Sequence, residues 1–345
     1  MMTEVSMRVA RLHGAGDVRL QDEDVPVPAS GTDRLVEVRS VGICGSDLHW
    51  FTEGGIGDAV VDRPLVLGHE MAGVIRGGPD DGVRVAIDPA IPCGVCEPCR
   101  DGYGNLCPDV VFAGHGACDG GLRQFLTWPA ERLHPLPDSI SDDDGALLEP
   151  LGVALHALDL SHLRMASTVA VVGCGPIGLL LVQLARRHGA TRVVAAEPLP
   201  HRMALAEKFG AEAAGAENVA DVVFEVSGSD AAVETALRLA KPGARVVLVG
   251  IPDGDRTTFS AALGRRKGLT LVMVRRMGEV YPRAIDLVAR GLVDLTPLVS
   301  DVFGLGEVTT ALATAAARTG MKVVVHPAQK TAELTDTTAP VTTTS

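Results

Sequence analysis

Apolar and polar residues alternate over short stretches in the first 150 residues, and glycine and proline interrupt them often. The runs 34–43, 72–77 and 82–87 show this alternation, whereas a helical period is weak. Alternation with a period of two is typical of strands that are buried on one face. We therefore predict an irregular, β-rich domain in this part of the chain.

From about residue 169 the pattern changes to apolar runs that alternate with amphipathic segments. The pattern predicts strands at 168–173, 191–197, 221–228, 244–250 and 269–274, and helices at 176–189, 200–211, 230–243 and 281–291. Such alternation is typical of βαβ units in a parallel sheet. A last apolar run at 320–327 predicts a strand that returns to the first domain. The parallel-sheet domain is then inserted between two parts of the β-rich domain.

Size and composition agree with two domains of the α/β class. At 345 residues the chain exceeds the length at which one core normally keeps growing. Its 39 glycines favour tight turns and close packing of helices on a sheet. The final segment, 331–345, is polar and rich in threonine, and we predict a disordered tail there.

Charge and terminal sequence exclude several classes of partner. The 31 basic and 43 acidic residues give a formal charge of −12, and nucleic-acid binding needs clustered lysine and arginine. The N-terminus lacks the apolar core of a secretory signal, and no run of about eighteen apolar residues offers a membrane span. We therefore expect a cytoplasmic protein without nucleic-acid or membrane partners, whose cysteines are reduced thiols or metal ligands.

Four cysteines lie close together in the segment 92–108, at Cys93, Cys96, Cys99 and Cys107. Four thiolates at about 2.3 Å fill the tetrahedral coordination of a zinc ion, as in structural zinc sites. Disulfides or spare buried thiols are the alternative, which a reducing compartment disfavours. The spacing therefore predicts a closed structural zinc lobe, and the chemistry must lie elsewhere.

Two other stretches carry residues that can bind a metal. GICGSDLH contributes Cys44, and LGHEMAG contributes His69 and Glu70. A thiolate, an imidazole and a carboxylate are the kind of three-ligand set that leaves one position of a catalytic zinc open. From spacing alone another interpretation stays open, in which Cys44 is a small buried hydrophobe and the His–Glu pair is an ordinary polar pair.

The motif VAVVGCGPIG has the pattern of a dinucleotide-binding turn, with its glycines at 173, 175 and 178. Gly173 permits the turn, Gly175 lets a pyrophosphate approach the backbone, and Gly178 lets helix and strand pack closely. The motif follows a predicted strand and opens a predicted helix, as a dinucleotide site requires. The turn residues Pro176 and Ile177 belong to the same predicted cofactor site.

Glu197 indicates which dinucleotide binds. It ends the next predicted strand, nineteen positions beyond Gly178. A carboxylate there accepts hydrogen bonds from the adenosine ribose and repels a 2′-phosphate, so we predict NAD. Arg202 leaves NADP open, because arginine can accommodate a 2′-phosphate; its other interpretation is a surface cation on the following helix.

Taken together, these residues resemble the zinc-dependent medium-chain dehydrogenases, and specifically the polyol branch with sorbitol and L-idonate 5-dehydrogenases. The resemblance covers about residues 8–326 and rests on the motifs GICGSDLHWFTEGGIG, PLVLGHEMAG, CGVCEPC…C, HGACDGG, LLEPLGVALHA and VVGCGPIG. It implies a Rossmann-type NAD-binding domain at 154–278, inserted into a β-rich, GroES-like catalytic domain at 1–153 and 279–330.

The resemblance also implies the roles of the metal-binding residues. Cys44, His69 and Glu70 are implied at a catalytic zinc, and Glu149 in LLEPL is implied as a further carboxylate that binds the metal directly or through water. With the lobe, this gives two Zn²⁺ per chain. We expect Glu70→Ala to abolish turnover while sparing the fold.

The implied reaction is the oxidation of a secondary alcohol, assisted by a Lewis-acidic zinc, with hydride transfer to the nicotinamide. Ser46 is implied as the first proton-relay group and His49 as a later one, although His49 as a loop residue beside the cleft is the alternative. Arg276 is implied at the substrate hydroxyls, with Arg275 as the alternative one position away. Trp50 and His115 are implied as residues that line the substrate pocket.

Several functions are compatible with these motifs. The first is an NAD-dependent zinc dehydrogenase for a small-molecule polyol or sugar acid of the sorbitol or L-idonate type. The second is a related dehydrogenase for an amino-cyclitol or another secondary alcohol, and a substrate panel separates the two. A catalytically silent NAD- or zinc-binding regulator is disfavoured, because a binding module needs no open metal site. We further expect a homodimer or a homotetramer.

Overall fold

The structure is a computed structural model that describes residues 6–328. The predicted tail at 331–345 lies outside these residues. Within the described range, no helix is both long and apolar enough to cross a membrane.

The first part of the chain is built mainly from short strands. They are β1 (Ser6–Gly14), β2 (Asp17–Asp24), β3 (Asp33–Gly42), β4 (Gly55–Ile56), β5 (Ala59–Val60), β6 (Leu65–Val66), β7 (Glu70–Arg76), β8 (Arg84–Ile87), β9 (Ala90–Ile91), β10 (Val111–Phe112), β11 (Phe125–Pro129) and β12 (Leu133–Pro135). Three helices interrupt them, namely α1 (Gly45–Glu53), α2 (Glu97–Arg100) and α3 (Asp142–Ala146). The predicted β-rich character is confirmed, while helix α1, which begins in GICGSDLH, was not predicted.

The second part alternates strands and helices, as predicted. Its elements are α4 (Leu148–Ser161), β13 (Thr168–Val172), α5 (Pro176–Arg187), β14 (Arg192–Ala196), α6 (Pro200–Lys208), β15 (Glu212–Ala213), β16 (Ala220–Glu225), α7 (Asp230–Leu239), β17 (Ala240–Leu248), α8 (Ala261–Lys267), β18 (Thr270–Met273), α9 (Tyr281–Ala289), β19 (Val299–Gly304), α10 (Val308–Ala317) and β20 (Lys322–His326). The predicted strands end within a few residues of the observed ones, because apolar β-branched runs bounded by glycine mark them clearly.

Two large sheets organise the molecule. The six-stranded sheet has the order β15-β14-β13-β16-β17-β18, and all its pairs are parallel. The seven-stranded sheet has the order β12-β8-β7-β3-β20-β19, with β11 also paired to β3. Its strand β20 pairs with β3, where Val324 faces Gly42. The last described strand therefore returns to the sheet of the first part, as predicted from the run 320–327.

The two parts share packing at helix α4. This helix runs without interruption across residues 153 and 154, where we predict a domain limit. The core cluster that contains its buried face also includes residues from both sheets, such as Ala72, Val171 and Val324. The domain limits themselves stay a prediction.

Strand register places the ends of β3 and β7 side by side. Gly42, the last residue of β3, pairs with Glu70, the first residue of β7. Cys44 follows β3 directly as the N-cap of α1, and His69 immediately precedes β7. The sheet therefore brings GICGSDLH and LGHEMAG together at one end.

Candidate functional site

Cys44, His69 and Glu70 meet at the end of β3 and β7. One potential ligand atom from each residue lies within 4.8 Å of the others. His69 is 6% exposed and Glu70 is fully buried, whereas Cys44 is only partly buried. The set thus opens towards solvent on the side of the thiol, which is the arrangement of a metal site with a free position.

The carboxylate of Glu70 shows that this set fits a cation. Its Oε1 accepts a 2.7 Å hydrogen bond from Nζ of Lys322, while its buried Oε2 has no hydrogen-bond partner among residues 6–328. A Cβ at Gly42 would lie 2.1 Å from this Oε2, so only glycine leaves room for it. A buried carboxylate oxygen without a donor is costly, and a bound metal ion removes that cost. With thiolate, imidazole and carboxylate donors, zinc fits best.

Asp47 orients the imidazole of His69. Asp47 is 1% exposed, and its Oδ1 lies 3.4 Å from Nδ1 of His69. The carboxylate also accepts hydrogen bonds from the backbone N–H groups of Cys44 and Gly68. Burial alone lowers the pKa of His69, but the charges of Asp47 and Cys44 outweigh it and the pKa is raised. Asp47 therefore holds Nδ1 and leaves Nε2 facing the ligand set.

Glu149 lies in the first turn of α4 and is 4% exposed. Burial raises its pKa to about 7, with His69 acting to lower it and Glu70 acting to raise it further. The Glu149 carboxylate is therefore close enough to His69 and Glu70 to interact with them electrostatically. Its role as a further metal ligand stays a prediction.

Helix α1 carries both predicted relay residues. Oγ of Ser46 lies 3.5 Å from Nε2 of His69, next to the predicted metal position. Nδ1 of His49 lies 2.7 Å from Oε1 of Glu53, and a carboxylate oxygen of Asp253 completes a group within 4.8 Å. His49 is thus a helix residue facing the segment after β17, rather than a loop residue.

Arg276 lies close to the predicted metal site, over the ring of Phe112. Its guanidinium carbon lies 4.1 Å from the centroid of the Phe112 ring, and that ring lies 5.4 Å from the His69 ring. Burial lowers the pKa of Arg276 to about 10, with Arg275 adding to the effect and Glu149 opposing it. Its buried Nη1 finds no hydrogen-bond partner in the described part of the chain. This supports Arg276, rather than its neighbour, as the residue that meets substrate.

Trp50 and His115 are in contact with each other. Their ring centroids are 5.3 Å apart in an edge-to-face arrangement. Trp50 is 2% exposed and belongs to the hydrophobic core of the first part of the chain. Burial, with help from Arg276 and Arg275, lowers the pKa of His115 and favours its neutral form. Their predicted contact with substrate stays a prediction.

The four lobe cysteines converge as their spacing predicts. Their sulfur atoms lie within 4.8 Å of one another, and Sγ of Cys96 is 3.8 Å from Sγ of Cys107. Backbone N–H groups of Val95 and Cys96 lower the pKa of Cys93 to about 7. Four thiolates this close repel one another, and a divalent cation is the counter-charge that lets them ionise together. This donor set fits a structural zinc ion.

The glycine motif forms a tight turn between β13 and α5. Gly173 has φ of +91°, a conformation that favours glycine. A Cβ at Gly178 would lie 2.0 Å from the carbonyl oxygen of Gly173, so the helix could not pack this closely with any side chain there. Gly175 is the N-cap of α5, and Pro176 and Ile177 begin the helix. The N-terminus of α5 therefore faces the turn, as an anion-binding site requires.

Glu197 lies beside this turn at the end of β14. Its Oε2 accepts a 2.7 Å hydrogen bond from the backbone N–H of Cys174, and its Oε1 accepts one from Leu199. Carboxylate oxygens have further acceptor capacity, so ribose hydroxyls can still donate to it. Arg202 donates to the carbonyl oxygen of Gly320 at 3.2 Å, which ties it to the segment between α10 and β20. Both side chains therefore lie at the turn, since Nη1 of Arg202 is 3.7 Å from the position of a Cβ on Gly175.

Some site residues had little or no signal in the sequence. Asp47 lies in GICGSDLH, but nothing in the neighbouring sequence indicates a role for it. Lys322 opens an apolar strand 252 positions from its partner Glu70, and local patterns do not reveal such a pair. Glu225 ends β16 and accepts hydrogen bonds from the backbone of Ser227 and Gly228, which shapes the loop beside Gly173. A buried acid at the end of a parallel strand is the signal that could have found it.

Two family matches cover the two parts of the chain. Residues 30–138 match the alcohol dehydrogenase GroES-like domain, and residues 176–290 match the zinc-binding dehydrogenase family. The chain is 34% identical over 346 residues to the sorbitol dehydrogenase of Bacillus subtilis (strain 168), with 93% of this chain and 98% of that protein covered. The similarity extends over nearly the whole length of both proteins.

Solved structures show the same architecture. The L-idonate 5-dehydrogenase of Escherichia coli K-12 has a TM-score of 0.87 at 28% identity, covering 94% of this chain and 99% of that one. A protein described as a zinc-binding dehydrogenase from Sinorhizobium meliloti 1021, bound to NADP, has a TM-score of 0.85 at 32% identity, covering 94% of this chain and 100% of that one. A GroES-like part joined to a Rossmann-type part is therefore the fold.

Proposed function

Because this chain belongs to the zinc-binding dehydrogenases with a GroES-like domain, in their polyol branch, we propose that it oxidises a secondary alcohol of a polyol or sugar acid with NAD. The names of the relatives support this substrate class, since they include a sorbitol dehydrogenase and an L-idonate 5-dehydrogenase. The observation that carries the proposal is the buried Oε2 of Glu70 beside Cys44 and His69, which has no hydrogen-bond partner within residues 6–328.

We assign Cys44, His69 and Glu70 as the residues that would hold the catalytic zinc, with Glu149 as a further carboxylate. Zinc bound there supplies Lewis acidity towards an alcohol oxygen, and bound NAD supplies the hydride acceptor. The partly exposed thiol side of the trio leaves space for the substrate hydroxyl. The lobe cysteines would hold the second, structural ion.

The hydroxyl proton leaves by residues of α1 in this proposal. Oγ of Ser46 lies 3.5 Å from Nε2 of His69, where it would accept the proton of a bound alcohol and donate its own to the next group. His49 lies three positions later on the same helix face and contacts exposed Glu53. With the dinucleotide bound, it would supply the hydride acceptor while the hydroxyl proton would reach solvent along α1, so a secondary alcohol would become a ketone.

NAD is the proposed cofactor because of Glu197. The turn at Gly173 and the N-terminus of α5 would bind the pyrophosphate, and the Glu197 carboxylate would bind the ribose hydroxyls. A 2′-phosphate placed near this carboxylate would be repelled. Arg202 donates to the carbonyl of Gly320 through one nitrogen, so the proposed preference for NAD rests on the Glu197 carboxylate.

We further propose that the chain forms a homodimer or homotetramer in the cytoplasm. Strand β18 is the edge of the parallel sheet, and it exposes Leu271 by 37% and Met273 by 69%. An exposed apolar edge strand is a template for pairing with a second copy. Four lobe thiols can hold zinc only while they stay reduced, which supports the location.

The experiment is a panel of polyols and sugar acids with NAD or NADP, in which production of the reduced cofactor is measured. We expect turnover of sorbitol- or L-idonate-type substrates with a preference for NAD. Activity confined to amino-cyclitols or other secondary alcohols would replace the proposed substrate class. A stronger preference for NADP would overturn the role given to Glu197.

A further inference from the structure

Asn105 links the zinc lobe to the wall of the catalytic cleft. It lies in a short 3-10 helix two positions before Cys107 and is 6% exposed. Its Nδ2 donates a 3.0 Å hydrogen bond to the backbone carbonyl of Arg275 and lies 3.4 Å from Nε2 of His156. The lobe thereby holds the backbone directly before Arg276.

The orientation of this amide is determined by its two partners. The carbonyl of Arg275 can only accept, so the Asn105 nitrogen must face it. Burial lowers the pKa of His156, so its imidazole is neutral near pH 7 and its Nε2 can accept the second N–H. The reversed amide would place an oxygen against a carbonyl oxygen. His156 belongs to α4, the helix that carries Glu149 in its first turn.

Arg276 needs such support because its backbone is in an unfavourable conformation. Its φ is +54°, a region that residues other than glycine rarely adopt. Such conformations persist only where the surroundings hold them, and they occur often at ligand-binding positions. The conformation turns the guanidinium over Phe112, with a buried Nη1 that lacks a partner among the described residues.

Met277 fixes the other side of the same residue. A Cβ at Gly152 of α4 would lie 2.2 Å from Sδ of Met277, so the methionine fills the space that this glycine leaves. Arg276 is therefore held between a hydrogen bond from the lobe and a packed side chain on α4.

We propose that Asn105 is a positioning residue for substrate binding, which places the Arg276 guanidinium in the cleft through the hydrogen bond to the Arg275 carbonyl. The structural zinc lobe then contributes to substrate affinity as well as to folding. This inference rests on the proposed role of Arg276 in binding substrate. In that role Arg276 would contact a substrate hydroxyl rather than the reacting carbon, so loss of its position should weaken binding more than it slows the chemistry.

The test compares Asn105→Asp and Asn105→Ala with Leu106→Ala, a change at the neighbouring residue, which is 47% exposed. A carboxylate cannot donate to the carbonyl, and alanine has no donor. The assay uses sorbitol or L-idonate, whichever is turned over faster. We expect both Asn105 variants to raise KM for this substrate about tenfold, with kcat within about twofold of the parent. Leu106→Ala should leave KM, kcat and zinc content unchanged.

A double-mutant cycle distinguishes a role of Asn105 in positioning Arg276 from a general role in stabilising the structure. In an Arg276→Ala background we expect Asn105→Asp to cause no further rise in KM, because both changes remove the same interaction. An additive rise, or zinc loss accompanied by a lower kcat, would show that Asn105 is merely structural and would overturn the inference. If Arg276→Ala leaves KM unchanged, the proposed substrate role of Arg276 fails. If only the Asn105 variants leave KM unchanged, the inference fails and that role stands.

Discussion

Glu70 connects the proposed metal site to the stability of the core. Its side chain is fully buried and bonds to Lys322, which is 4% exposed. Lys322 also donates to the carbonyl of Ile43 at 3.0 Å. Burial alone lowers the pKa of Lys322, but Glu70 and Cys44 outweigh it and the pKa is raised. The buried ammonium therefore stays charged and depends on this carboxylate.

This pair changes the expectation that Glu70→Ala spares the fold. The substitution leaves the Lys322 ammonium buried without its partner, and we expect it to lower the free energy of unfolding by about 3–5 kcal/mol. The double variant Glu70→Ala/Lys322→Met removes both charges and should regain most of that stability while remaining inactive. Chemical denaturation of the three proteins measures this. A single variant as stable as the parent would show that the pair is not buried as described.

The sequence indicated the candidate metal ligands, but not the residues that contact them and hold them in place. The spacing of Cys44, His69 and Glu70 left their role open, and the resemblance to the dehydrogenase family assigned them to a metal. Lys322 was not found because its contact with Glu70 spans most of the chain. Asp47 was visible, yet only the fold shows that its carboxylate faces His69.

At the scale of elements, the parallel sheet was the most predictable part. Its inner strands β13, β14 and β16 are largely buried and appear as continuous apolar runs, and its first turn carries the glycine motif. The β-rich part was less predictable, since several of its strands, such as Gly55–Ile56 and Ala59–Val60, have only two residues. Such short pairings depend on tertiary contacts rather than on local pattern.

The close packing of α5 on β13 gives a test of the cofactor site. Gly178→Ala places a Cβ 2.0 Å from the Gly173 carbonyl oxygen and must push the helix from the turn. We expect weaker NADH binding and a loss of about 1–3 kcal/mol in the free energy of unfolding. NADH fluorescence titration and thermal unfolding measure the two effects.

The matched control is Gly264→Ala in α8. An added Cβ there meets no atom outside its own helix within 4 Å in the described structure. Since alanine favours helices over glycine by about 1 kcal/mol, this variant should be as stable as the parent or more so. Unchanged NADH affinity in Gly178→Ala would contradict the assigned pyrophosphate site.

At the scale of the molecule, the catalytic cleft is assembled from distant parts of the chain. β20 returns next to β3 and supplies Lys322, the segment after β18 supplies Arg276, and the segment after β17 brings Asp253 to His49. The apolar run at 320–327 indicated this insertion before the structure did, and the resemblance to known dehydrogenases agreed with it. The contacts that couple the parts, such as Asn105 to the Arg275 carbonyl, required the fold.

The central claim is an open zinc site built from Cys44, His69 and Glu70, separate from the closed lobe. Its most direct test is the zinc content of purified parent, Cys44→Ser and Cys118→Ser, a control at a cysteine outside both clusters. We expect about two zinc ions per chain in the parent and in Cys118→Ser, and about one in Cys44→Ser together with loss of NADH production. Two zinc ions and undiminished NADH production in Cys44→Ser would contradict the account.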